Sequence, residues 1–211
     1  MKKDFLVLNP GGIFAQARAN DPNYAADFDY VDIYSLPEID LASYKCLVLT
    51  GFADQEFLHE ERHIIREFLG NKKVVVFSGN LVTDWLPGGT SFIPKEIKSF
   101  KDYQVSIAKP HPIFDGVLED DMTYNKGVSG FFARGHHPLP EGAEVLLTLP
   151  GNDPITYIDR QSTNGTIIVH VGFDLFGYMQ SDSKKTTDRI GKQLVQFVRD
   201  EFNRLQGGEE Q

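Results

Sequence analysis

Cysteine is almost missing from these 211 residues. The single one, Cys46, cannot close an internal disulfide, and its place among Leu47, Val48 and Leu49 reads as a small buried hydrophobe rather than a nucleophile. Basic runs are missing as well. With 21 Lys and Arg against 30 Asp and Glu the net charge is −9, so no clustered cationic surface is offered to nucleic acid or to an anionic membrane. No apolar run approaches the roughly 20 residues that cross a bilayer. The opening Met1-Lys-Lys-Asp-Phe-Leu-Val-Leu-Asn-Pro10 is charged and then apolar, but the apolar part is four residues long and reads as a first strand, not a signal peptide. Together these absences lead us to expect a cytoplasmic protein. Repeats, low-complexity blocks and linkers are missing too, so residues 1–206 are expected to form one α/β domain and residues 207–211 a disordered tail.

What is present is a rhythm of short buried strands and helices. Lys73-Val-Val-Val-Phe-Ser-Gly-Asn80 is a β-branched and aromatic run with no polar face, which suits a central strand buried on both sides. In open α/β sheets, ligands bind beyond the carboxyl ends of the strands, so Phe77, Ser78, Gly79 and Asn80 stand where a site is expected. Phe5 to Leu8 forms the first strand, and the glycines of Asn9-Pro10-Gly11-Gly12 after it give a tight pocket-wall turn that lacks phosphate-loop spacing. Tyr30 to Tyr34 reads as the second strand and Lys45 to Gly51 as the third, with Gly51 at the same pocket edge. Asp54 then caps a helix carrying Phe57, Leu58, Ile64, Ile65, Phe68 and Leu69 at helical spacing and stopping at Gly70. His59 and His63 are four apart on it and would share a face, but Glu60-Glu61-Arg62 between them reads as solvated surface. Tyr103 to Ala108 suits an edge strand, and Gly130 to Ala133 a short extended piece.

Beyond this the pattern becomes antiparallel. Val145 to Leu149, Ile155 to Asp159 and Thr166 to Val171 read as successive antiparallel strands, with Asn164-Gly165 a hairpin signal. A helix from about Lys184 to Arg204 closes the chain, carrying Ile190, Leu194, Phe197, Val198 and Phe202 as one stripe.

This order, together with Leu49-Thr-Gly51, His111-Pro-Ile-Phe-Asp-Gly116 and Gly165-Thr-Ile-Ile-Val-His-Val-Gly-Phe-Asp174, resembles the class I glutamine amidotransferase-like superfamily, and within it the ThuA-like and glycosidase-associated branches. The resemblance covers nearly the whole chain. It implies a three-layer, flavodoxin-like α/β fold with a mostly parallel central sheet and a C-terminal antiparallel hairpin. In that superfamily, glutaminases carry a Cys followed two residues later by Gly, and a late His-Pro-Glu. Aligned on Gly79, the nucleophile position here is Phe77, which has no nucleophilic atom. His170 matches the family histidine, but Val171-Gly172 stand where Pro-Glu would be. The resemblance therefore implies a degenerate, non-catalytic member that binds a small ligand or a protein partner, as a homo-oligomer, with no cofactor.

Two sharper readings stay open. Ser78 could act as a hydrolase nucleophile with His170 as base and Asp174 as its orienter, although strand alternation would set a base aimed at position 77 away from position 78. His136 and His137, with His111, could hold a metal, although adjacent residues rarely both point inward and no metal is assigned. The bland reading makes His136 and His137 a loop beside Pro138, while Phe131, Phe132 and Arg134 before them would give a rim of aromatic and cationic groups suited to an anionic or carbohydrate ligand. A structural role in an assembly is the remaining alternative, since many of the 16 Phe residues fall outside clear helices and strands. Asp120 and Asp121 read as solvated.

Overall fold

Stretches of valine, isoleucine, leucine and phenylalanine with no polar face need burial on both sides, and a sheet covered by helices supplies it. The structure, a computed structural model, describes residues 3–13, 18–179 and 184–207. Its strands are β1 (Phe5–Asn9), β2 (Phe28–Asp32), β3 (Cys46–Thr50), β4 (Val74–Ser78), β5 (Ile93–Pro94), β6 (Ser106–Ile107), β7 (Tyr124–Asn125), β8 (Val128–Ser129), β9 (Gly135–His136), β10 (Glu144–Leu149), β11 (Asp153–Asp159) and β12 (Thr166–His170). Eight of them form one sheet in the order β2-β1-β3-β4-β12-β11-β10-β6. The pairs from β2 to β12 are parallel, and those from β12 to β6 are antiparallel. β5 pairs with β9 and β7 with β8 as small antiparallel ribbons.

The helices are α1 (Pro22–Ala25), α2 (Gln55–Glu60), α3 (Arg62–Gly70), α4 (Glu119–Thr123) and α5 (Ile190–Gly207). Alternation along β4 sends Val74 and Val76 into a core with Ile190, Leu194 and Val198 of α5. Val75 and Phe77 enter a second core with Leu58 of α2 and Ile65, Phe68 and Leu69 of α3. These are the three layers.

Five local expectations are corrected. The second strand ends at Asp32, because its carboxylate accepts the Tyr34 N–H at 2.9 Å and starts a 3₁₀ helix over Ile33–Glu38. The helix expected over 54–70 breaks at Glu61 (φ −91°, ψ 13°) into α2 and α3, so His59 and His63 stand on different helices. His59 Nδ1 lies 2.7 Å from the Asp84 carbonyl oxygen, and His63 is exposed. Asn164-Gly165 is the end of a loop over 160–165 rather than a two-residue hairpin; Asp159 Oδ1 shapes that loop by accepting the Gln161 and Ser162 N–H groups at 2.8 and 3.1 Å. Glycine is required at 165, since a Cβ there would lie 2.3 Å from the Lys73 carbonyl oxygen. The closing helix begins at Ile190, after a 3₁₀ turn over Thr186–Arg189, and includes Gly207; the rest of the expected tail, 208–211, lies outside the described residues. Gly130 to Ala133, expected to be extended, is instead an irregular bend between β8 and β9.

Candidate functional site

The carboxyl ends of β1, β3, β4 and β12 converge where glycines leave the backbone bare. A Cβ on Gly79 would sit 2.4 Å from the Gly51 Cα, so the loops after β3 and β4 touch main chain to main chain. Beside them opens a cavity of about 730 Å³ whose walls include Gly12, Gly51, Gly79 and Asn80. Its lining is mostly apolar, with Val7, Ala133 and Val171 buried. Around it stand Ile13, Phe52, Phe131 and Phe173, each between 45 % and 76 % exposed.

Arg18, Tyr30, Thr50, Asn80, Arg134 and Asp174 are the polar side chains of this lining. Arg18 forms an ion pair with Asp174, whose other oxygen accepts the Phe176 N–H at 2.9 Å and so caps a 3₁₀ turn over Leu175–Gly177. Burial pushes the Asp174 pKa up, while the Arg18 cation and the Phe176 N–H act to lower it. Tyr30 lines the cavity, and its hydroxyl is buried with no hydrogen-bond partner among the described residues. Burial pushes its pKa well up, against the pull of Arg18, so it is a neutral hydroxyl at ordinary pH.

Of the expected catalytic residues, Asp174 lines the cavity, whereas Ser78 and His170 lie behind its wall, as does Phe77. Phe77 is fully buried, its ring edge-on to Trp85 at 5.1 Å in the core under α2 and α3. Ser78 and His170 are register partners on the adjacent parallel strands β4 and β12, and hence share a face. This corrects the expectation that a base at 170 would face position 77. The two are nevertheless not bonded to each other. Ser78 Oγ accepts the Leu175 N–H at 3.3 Å, and His170 Nδ1 meets Thr156 Oγ1 at 2.7 Å. Asp174 is held by Arg18 and does not orient His170. Burial pushes the His170 pKa down to about 3, with His137 adding to the effect while the Ile155 and Phe132 carbonyls oppose it. A neutral, enclosed imidazole with Phe132 edge-on at 4.8 Å and Nε2 without a hydrogen-bond partner among the described residues is poorly placed to take a proton from a substrate.

The histidine rim is also dispersed. His137 is fully buried and accepts the Leu81 N–H through Nε2 at 3.0 Å, with burial taking its pKa down to about 4. His136 faces Asp153 at 3.9 Å. His111 packs on Phe197 of α5 at 4.6 Å. Among the described residues no three His, Cys, Asp or Glu side chains gather as a metal would need. Gly11 is exposed and outside the cavity wall, while Phe131 and Arg134 do line it and Phe132 does not. Arg18 and Tyr30 escaped the sequence reading: Arg18 sits in a stretch with a modest helix signal, and Tyr30 looked like one strand residue among others.

No protein-family model and no curated protein matches the chain. Solved structures do. A protein described as a GMP synthase subunit, from Thermoplasma acidophilum, superposes with a TM-score of 0.61 at 13% identity, covering 98% of each chain. A glutamine amidotransferase from Thermotoga maritima gives 0.53 at 14% identity, over 97% of this chain and 99% of that one. The fold is that of the class I glutamine amidotransferases. A ThuA-like protein from Bacteroides uniformis gives a TM-score of 0.50 at 14% identity over 96% and 90% of the two chains, so the ThuA-like variant shares this fold. At these identities the likeness is one of fold alone.

Proposed function

We propose that this amidotransferase-like chain binds a small molecule at the carboxyl edge of its sheet and works without a covalent nucleophile. The observation that carries the reading is the separation of the two features. The cavity lies against Gly12, Gly51, Gly79 and Asn80, whereas Phe77, Ser78 and His170 are sealed beneath it, with Ser78 committed to the Leu175 N–H. Glutaminase chemistry needs a cysteine exposed to substrate, and among the described residues the cavity lining holds neither Cys nor Ser. Ligand-observed NMR against a broad panel of small molecules is expected to return binders that disappear in Asn80→Trp, a bulky group placed at an exposed wall position. A panel without a single binder sinks the proposal.

The hydrolase reading keeps one observation in its favour, the shared face of Ser78 and His170. It requires ester or amide turnover that falls by orders of magnitude in Ser78→Ala and His170→Ala. We expect the unaltered protein to show no turnover above the Ser78→Ala variant. Self-association belongs to the same proposal: Phe100, Leu118 and Val128 are exposed outside the cavity, and sedimentation analysis separates a dimer from a monomer.

A further inference from the structure

We infer that the ligand is an organic acid bound as its carboxylate, with Arg134 as the partner of the charged group and an apolar body laid against Phe131 and Phe173. The inference deepens the small-molecule reading above and rests on it. Charge balance is the first ground. Among the described residues, the cations Arg18 and Arg134 and the carboxylate Asp174 are the charged side chains of the lining. Arg18 and Asp174 form an ion pair, which leaves the wall with one positive charge, that of Arg134. Arg134 Nε donates to the Gly130 carbonyl at 2.8 Å, and its two terminal nitrogens have no hydrogen-bond partner among the described residues. Those nitrogens offer a pair of parallel N–H donors, a geometry that takes both oxygens of a carboxylate.

The same balance argues against other charge classes. An amine, or the ammonium group of an amino acid, needs a carboxylate, and Asp174 already serves Arg18 and the Phe176 N–H. A doubly charged phosphate needs a second cation, and Arg18 is engaged. Thr50 and Asn80 add neutral hydrogen-bonding groups at the ends of β3 and β4, which suit a polar substituent without changing the charge. A second depression of about 470 Å³ between Lys109, Glu144 and Arg160 offers no such charge, since both cations there are paired with Glu144.

Placement is the second ground. Phe131 and Arg134 lie on one loop and Phe173 on another, and the two loops meet main chain to main chain, since a Cβ on Gly172 would lie 2.3 Å from the Phe132 carbonyl oxygen. Between Phe131 and Arg134, Phe132 and Ala133 are buried and anchor their loop, and the Lys95 N–H donates to the Arg134 carbonyl at 3.0 Å. Arg134 is therefore presented from fixed main chain, beside large apolar side chains left in solvent at the same cavity. An apolar body covering Phe131 and Phe173 adds hydrophobic binding that a bare inorganic anion lacks. It also takes water away from the guanidinium, which strengthens the pairing with a carboxylate.

The test is a set of calorimetric or NMR titrations at about pH 7.5, where carboxylic acids are ionised. The probes are benzoate, hydrocinnamate and octanoate, each beside its uncharged primary amide, with L-glutamine as a zwitterion and phenethylammonium as a cation. We expect at least one acid to saturate a single site about tenfold more tightly than its amide. Arg134→Gln, a change at an exposed side chain, should bring that acid down to the affinity of its amide and leave the amide unchanged, with a thermal melt confirming the fold. Phe131→Ala and Phe173→Ala should weaken acid and amide together. An acid that binds no better than its amide, or that is indifferent to Arg134→Gln, overturns the inference, and so does indifference to both phenylalanine changes. Tighter binding of glutamine or phenethylammonium overturns the charge class and leaves the small-molecule reading standing. No response to any probe overturns the inference too, and the broad ligand panel then decides whether the small-molecule reading falls with it.

Discussion

At the scale of single residues, Phe77 and Tyr30 behave in opposite ways. Phe77 contributes to stability and points away from His170, so Phe77→Cys should not create a glutaminase. It should leave a hole beside Trp85 and cost about 2–4 kcal/mol, read by urea denaturation, with glutamine hydrolysis staying at background. Tyr30 carries a hydroxyl that nothing in the described fold uses. Removing a buried, unpaired polar group relieves its desolvation, so Tyr30→Phe should be neutral or stabilising by up to about 1 kcal/mol in the ligand-free protein, measured by the same method. The identity of Phe77 was plain in the sequence, as was the absence of a carboxylate two residues after His170. The partner of His170 was not, because parallel register is set by two strands together, and the pairing of His170 with Ser78 is invisible in either strand alone.

At the scale of elements, the long apolar runs of β1, β3, β4 and β12 were legible because burial on both faces leaves no alternation to misread. Boundaries fixed by single side chains were not, as the Asp32 cap after β2 and the break between α2 and α3 at Glu61 show. The attachment of α5 to the sheet was half legible: its apolar stripe was evident, its buried charge was not. Glu201 is almost wholly buried on α5 and accepts from Arg160 Nε at 2.7 Å, Thr166 Oγ1 at 2.7 Å and Arg204 Nη2 at 2.8 Å, tying the helix to the start of β12. Burial works to raise its pKa, yet hydrogen bonds from Arg204, Arg160 and Thr166 bring it down to about 2. A carboxylate lowered on folding stabilises the protein above its unfolded pKa, and that contribution drains away as pH falls from about 4.5 towards 2. Glu201→Ala, which strands its buried partners, should cost about 3–5 kcal/mol at neutral pH, and the loss should shrink in acid when followed by denaturation at pH 7 and pH 3.

At the scale of the whole molecule, the first acid sensitivity should come from histidine. His137 and His170 are buried neutral, with pKa values near 4 and 3 against 6.5 for the free side chain. Below pH 6.5 the unfolded chain takes up protons that the folded one refuses, so stability is highest above that value and falls by roughly 1.4 kcal/mol per pH unit for each histidine. A thermal melt series from pH 7.5 to 5 should show this slope, and His137→Gln should remove about half of it. The sheet itself is divided, with a parallel half and an antiparallel half in which short loops join only β10, β11 and β12. Its boundary is β12, parallel to β4 and antiparallel to β11, so β4, which lies between β3 and β12, gains its second neighbour only when Thr166 to His170 exist, with Thr166 88 residues after Ser78. At a ribosome's pace of about 5–20 residues per second, Val74 to Ser78 therefore wait some 4–18 s as an open apolar edge. Nascent chains of this protein should be clients of holding chaperones during that interval, and fragments ending before Thr166 should aggregate where the full chain stays dissolved.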